Sequence, residues 1–95
     1  MEEIWKTITL DRRYEVSNLG RVRNKKTLHI LSNKPTKSHR HPQVFLAGNY
    51  RGRLQLTVSH LVWHEFNNRP YFYGEIIGHK DGDILNNRID NLYLK

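Results

Sequence analysis

Two arginines flank a valine in the run Tyr14-Glu15-Val16-Ser17-Asn18-Leu19-Gly20-Arg21-Val22-Arg23. Side chains alternate between the faces of a strand. A Val22 turned to the core therefore sends Arg21 and Arg23 out together, where two guanidinium groups are placed to straddle a phosphate backbone. These two belong to a wider bias. From Arg12 to Arg53 the chain has eleven basic residues (Arg12, Arg13, Arg21, Arg23, Lys25, Lys26, Lys34, Lys37, Arg40, Arg51 and Arg53) against a single acid, Glu15, a formal charge of +10. The remainder has five basic and eight acidic residues, or −3. A solvated basic face with no specific ligand is the alternative, but charge segregated to one half points to a polyanion.

Histidines are the other chemistry-bearing residues. His60 and His64 stand one helical turn apart and are of metal-chelating type, as for a structural zinc, but no further ligand is evident and the chain has no cysteine. They read as a surface pair on one helix face. His39 and His41, set among basic residues, read as solvent-exposed bystanders of a loop. His79, taken alone, is a histidine beside the turn Lys80-Asp81-Gly82-Asp83.

The elements that must position these groups are short. With 95 residues and 37% apolar content the chain makes one small domain, and chains of this size bury only about two-thirds of the surface they expose unfolded. No apolar run approaches the roughly 20 residues of a membrane span, and Met-Glu-Glu is unlike the start of a signal peptide. A soluble, cytoplasmic protein with no membrane partner is expected. Residues 4–23 read as two strands around the Ser17–Gly20 turn. Residues 25–42 read as loop, with Leu28–Leu31 a candidate strand. Val44–Ala47 and Arg53–Val58 form a hairpin, and Ser59 caps a helix over His60–Asn67 that ends before Pro70. Glu75–His79 is a strand leading into the aspartate-glycine turn. The sum is an α+β fold of short antiparallel strands and a short helix.

Three segments, in order, resemble one family. Ile4-Trp5 with Tyr14 to Arg23 is similar to the modular DNA-binding motif that often precedes HNH domains in phage and intron-encoded homing endonucleases. Val58-Ser59-His60-Leu61-Val62-Trp63-His64-Glu65-Phe66 resembles the strand-to-helix segment that opens the HNH portion. Gly78-His79-Lys80-Asp81-Gly82-Asp83 with Asn86-Asn87-Arg88-Ile89-Asp90-Asn91-Leu92 resembles the HNH signature. The division implied is 1–53 as basic DNA-binding motif and hairpin and 54–95 as HNH-like portion, within a single domain over 1–95.

The resemblance implies a metal-dependent hydrolysis of DNA phosphodiesters, with a divalent cation such as Mg2+ as cofactor and a phage-infected bacterial cell as setting. It makes His79 the general base. It makes Asn91 the residue that orients the histidine and braces the loop, with Asp81, Asn86 and Asn87 shaping the turn. Arg12, Arg13, Arg21, Arg23, Lys25, Lys26, Arg51 and Arg53 are the residues expected on DNA, and replacing Arg21 and Arg23 together is expected to weaken binding broadly.

This sequence departs from the family pattern in three places. Gly78 stands where the family commonly has a metal-ligating aspartate. The chain reaches Lys95 where a ligand-bearing helix is expected to begin, so the ββα-metal half-site lacks its last helix and the metal residues stay unassigned. Ser59-His60 replaces a histidine-arginine pair. A site left with histidine and asparagine holds Mg2+ poorly unless DNA phosphates complete the shell, and Gly78→Asp is expected to raise metal affinity. Two functions stay open: an HNH endonuclease, or a catalytically impaired scaffold that binds nucleic acid, RNA included, or interferes with a host protein.

Overall fold

The structure is a computed structural model and describes residues 2–33, 40–47, 53–70 and 74–95. Strands β1 (Trp5–Thr7), β2 (Tyr14–Ser17) and β3 (Val22–Asn24) make an antiparallel sheet in that order. The first of them adds to the two strands expected over 4–23, pairing from Trp5↔Ser17 to Thr7↔Glu15. Between β2 and β3, Ser17 Oγ accepts the backbone N–H groups of Leu19 and Arg21 at 3.2 and 3.1 Å. Gly20 there sits at φ +90°, a left-handed conformation that glycine adopts without steric cost. Val22 is buried, as the alternation requires.

Strands β4 (Gln43–Ala47) and β5 (Arg53–Thr57) form the expected hairpin, in register Val44↔Leu56 and Leu46↔Leu54. Their turn, 48–52, lies outside the described residues. Helix α1 (Val58–Phe66) follows without a break. The cap assignment changes: Thr57, not Ser59, occupies the N-cap position, with no side-chain cap bond, and Ser59 is buried. The reason lies in Val58, which continues the strand pattern of Leu54 and Leu56 and also starts the helical stripe Val58, Leu61, Val62. Packing selects the helix, with the Val58 N–H bonded to the Pro42 carbonyl at 3.0 Å.

Strands β6 (Ile77–His79) and β7 (Leu92–Leu94) pair as Ile77↔Leu94, Gly78↔Tyr93 and His79↔Leu92, with a 3-10 turn over Ile89–Asn91 leading into β7. Glu75 and Ile76, expected in the strand, precede it. The candidate strand at Leu28–Leu31 reduces to one bridge, Ile30↔Arg23, with Leu28 at φ 63°.

Helix α1 ties the parts together. Val58, Leu61 and Val62 pack with Ile8, Val16 and Val22 of the first sheet region, Val44 and Leu46 of the hairpin, and Ile77 and Leu92 of the last strand pair. The α+β architecture is therefore the one expected, with one shared apolar core. Leu61 is fully buried within it. Leu61→Ala is expected to cost about 2–5 kcal/mol, out of a total stability on the order of 5–15 kcal/mol. Urea denaturation followed by circular dichroism checks this; a midpoint within error of the parent would place Leu61 outside the core.

Candidate active site

His79 ends β6, and its ring is half-buried. Its Nε2–H donates to Asn87 Oδ1 at 2.8 Å. With that nitrogen protonated, the lone pair of the neutral ring is on Nδ1, the tautomer required of a base. Asn87 is itself buried, and the β2–β3 turn is packed on it. A Cβ at Gly20 would lie 3.0 Å from Asn87 Cβ and 3.1 Å from its carbonyl oxygen. The Ile89 N–H donates to the Asn18 carbonyl at 2.9 Å, closing the same contact. The basic N-terminal motif therefore buttresses the residue that orients His79.

Asn91 keeps one of its two expected tasks, bracing the loop. Its Oδ1 accepts the Asp81 N–H at 3.1 Å, and its Nδ2 donates to Asp81 Oδ1 and to the Asn86 carbonyl, each at 2.9 Å. It braces the loop from below, and the orienting contact to His79 belongs to Asn87. The amide of Asn86, then the Asp83 N–H and the amide of Asn91, hold the Asp81 carboxyl below the usual carboxylate range. Asp81 is thus an ionised hub of the turn. Both of its oxygens accept bonds from the loop.

Beside His79 opens a cavity of about 300 Å³ lined by His41, Gly78, His79, Ile84, Tyr93 and Lys95 among others. The His41 and His79 ring centroids are 6.0 Å apart, so His41 is a neighbour of the site and no bystander; His39 lies outside the described residues. At Gly78 a Cβ would stand 2.4 Å from Tyr93 Cζ and 2.7 Å from its hydroxyl. The space of any side chain at position 78 is filled by the Tyr93 ring. An aspartate there, as in Gly78→Asp, enters only if the exposed end of the Tyr93 ring swings away. Among the described residues no three His, Asp or Glu side chains converge to hold a metal ion. These residues do not form a metal cradle by themselves.

The other histidine pair also differs from its expected place. His60 and His64 stack at 6.1 Å, but His64 is only 1% exposed, packed edge-on against Trp63 at 5.1 Å. It lies in the core because it faces inward from α1 alongside Leu61. Its Nε2 is 3.9 Å from Glu75 Oε1, and Arg69 reaches the same carboxylate at 3.4 Å. Burial pushes the His64 pKa below its ordinary value; the Glu75 charge and a hydrogen bond to the Arg69 backbone oppose that, and the charges of His60 and Arg69 add to it. A depressed histidine pKa gives stability that is present above the unfolded value of about 6.5 and is lost as pH falls below it towards the folded value. The urea midpoint is therefore expected to fall between pH 7.5 and pH 5, and His64→Leu to flatten that part of the profile. An equal slope in both proteins would remove His64 as the cause.

The basic surface is less uniform than the sequence suggests. Arg21 is engaged by both oxygens of Glu3, and Arg23 Nε donates to Glu15 Oε1 at 2.6 Å. The two guanidinium carbons lie 5.5 and 3.9 Å from the Trp5 ring centroid. Both do leave the sheet on the face opposite Val22, but their charge is compensated on the spot. Arg13 forms a bidentate pair with Asp11, at 3.0 and 2.8 Å. Arg12, Lys25 and Lys26 pair with no described acid, and they line one recess with Arg13, Asn24 and Thr27. Arg51, Lys34 and Lys37 lie outside the described residues, and Arg53 begins β5.

Comparison with known proteins accounts for both halves. The NUMOD4 motif matches residues 3–55, and the HNH endonuclease family matches residues 57–95. The chain belongs to the HNH homing endonuclease family and carries a NUMOD4 motif. An uncharacterised HNH endonuclease of Acanthamoeba polyphaga mimivirus is 33% identical over 88 residues, which are 93% of this chain and 26% of that protein. The HNH homing endonuclease I-HmuI, solved in a study of its DNA binding and cleavage, superposes with a TM-score of 0.79 at 30% identity, over 100% of this chain and 52% of its own. The chain thus spans about half of the solved relative and about a quarter of the viral one. HNH endonucleases generally use divalent metal ions.

Three residues of this HNH site escaped the sequence reading. Asn87 was visible as half of a double asparagine but indistinguishable from turn-formers. Gly20 was visible as a turn glycine, without its contact to Asn87. Tyr93 left no signal, because its pairing with Gly78 is set by the β6–β7 register.

Proposed function

We propose that this chain is the DNA-binding and nicking portion of an HNH endonuclease. The observation that carries the proposal is the 2.8 Å bond from His79 Nε2–H to the buried Asn87, which leaves Nδ1 as the basic atom of a ring bordering an open cavity. In the reaction, a water oxygen bonds to phosphorus while its proton passes to His79 Nδ1. The bond from phosphorus to the leaving oxygen breaks, and that oxygen takes a proton from solvent. Asn87 keeps the ring in its tautomer, and Asn91 with Asp81 keeps the following turn from moving it. The NUMOD4 half grips the duplex through Arg12, Lys25 and Lys26, with Arg13, Arg21, Arg23, Arg51 and Arg53 as lesser or undefined contributors. DNA is the partner this supports best, since a basic recess in a chain of a phosphodiester-cleaving family matches duplex phosphates. Mg2+ is the cation proposed for assay, and a cysteine-free chain fits action inside a cell.

Nicking of supercoiled plasmid in Mg2+ or Mn2+, by the chain and by its His79→Ala variant, tests the reading. Nicking that needs His79 supports it. Duplex binding with no nicking would leave a binding module on an HNH scaffold, a reading that the absent carboxylate at Gly78 favours.

A further inference from the structure

Tyr93 packs against the strand that carries His79. It is the cross-strand partner of Gly78, and its ring takes the volume into which any side chain at position 78 would grow. An aromatic ring over a strand glycine has a structural use, covering a backbone left bare by the missing side chain. A phenylalanine would serve that use equally well. Tyr93 is instead 40% exposed and lines the cavity that also holds His41, His79 and Lys95. Gly78 and His79 occupy successive strand positions, yet both border this one cavity. Within it the phenol is a neutral hydrogen-bond donor, and His41 and Lys95 are the neighbouring groups able to carry positive charge. Asp81 and Asp83, on either side of Gly82, accept bonds within their own turn, Glu75 pairs with Arg69, and none of these carboxylates, nor that of Asp90, borders the cavity.

We propose that the Tyr93 hydroxyl is a catalytic residue that donates a hydrogen bond to a non-bridging oxygen of the DNA phosphodiester placed before His79, and that Gly78 lacks a side chain so that the phenol can lie there. This rests on the nuclease reading above and names a contact that the reading does not contain. A donor already in place where charge grows on the phosphoryl oxygens costs no reorganisation as the reaction proceeds. The arrangement also offers a phosphate oxygen a neutral partner, at a position where a carboxylate would need a cation between them.

Two variants separate this from a covering role. Tyr93→Phe keeps the ring and removes only the hydroxyl. Gly78→Ala keeps the hydroxyl but displaces it, because the new Cβ would lie 2.4 Å from Cζ and the exposed ring end gives way. Plasmid nicking and duplex binding by fluorescence anisotropy are measured for both beside the parent. The expected result is that each variant nicks on the order of tenfold or more slowly, with binding within about twofold because a single neutral contact adds little to a salt-dependent grip. Parental nicking rates in both variants overturn the proposal.

A parent that binds DNA without nicking sinks the nuclease reading and leaves the contact to be decided by a second measurement. The ζ-carbon resonance of labelled Tyr93, assigned from its loss in Tyr93→Phe, is followed as a duplex is added to the parent and to Gly78→Ala. A shift in the parent that is absent in Gly78→Ala supports the contact. No shift in the parent, or the same shift in both, overturns it.

Discussion

His79→Ala is expected to abolish nicking while duplex binding stays within about twofold of the parent. A positioned general base contributes on the order of a hundredfold to ten-thousandfold, and among the described residues no neighbouring group is held to stand in for it. His41, with its ring centroid 6.0 Å away, is the nearest imidazole, but no described side chain orients it as Asn87 orients His79. The parental rate is expected to be slow, because the described residues bring no metal cradle to the site. Loss is therefore best read by single-turnover accumulation of open-circle plasmid over hours. His79→Ala that nicks at the parental rate would remove His79 from the chemistry. The fold is not at stake in this variant, since the ring is half-exposed and the loop it precedes is held by Asp81, Asn86 and Asn91.

The second large effect concerns the grip on DNA. Each phosphate contact contributes about 0.9 to the slope of log affinity against log salt. The triple variant Arg12→Ala, Lys25→Ala, Lys26→Ala is therefore expected to lower that slope by roughly 2–3 and to weaken binding on the order of a hundredfold near 0.1 M salt. The loss should be similar for unrelated duplex sequences, because phosphate contacts carry no base information. Arg21→Ala with Arg23→Ala is expected to do much less at low salt. Glu3 and Glu15 already offset those two charges, and the stacking of both guanidinium groups on Trp5 makes their role largely one of packing. Anisotropy titrations at four or five salt concentrations distinguish the sets. A steeper loss from the Arg21 and Arg23 pair than from the triple variant would move the DNA surface to the opposite flank of the first sheet.

Local pattern carried a good part of this protein. Charge counting located the basic half, alternation placed Val22 inward with Arg21 and Arg23 outward, and turn chemistry marked Gly20 and Gly82. The spacing of His79, Asp81, Asn87 and Asn91 resembles the HNH signature by itself. All of these depend on residues near one another in the chain, where strand and turn geometry constrain side-chain direction by themselves.

What tertiary structure decided was who touches whom across long sequence separations. Charge counting treats Arg21 and Arg23 as free cations, and only the β1–β2–β3 pairing brings Glu3 and Glu15 against them. Helical spacing makes His60 and His64 alike, and only the packing of α1 on the rest of the core buries His64. Two asparagines compete for His79, and the contact between Asn87 and the Gly20 turn, far away in sequence, settles which of them reaches the ring. The strand register that lays Tyr93 over Gly78 is of the same kind. A one-residue slip would take that ring off Gly78, so its place there depends on how the two strands pair and not on the residues of either strand alone.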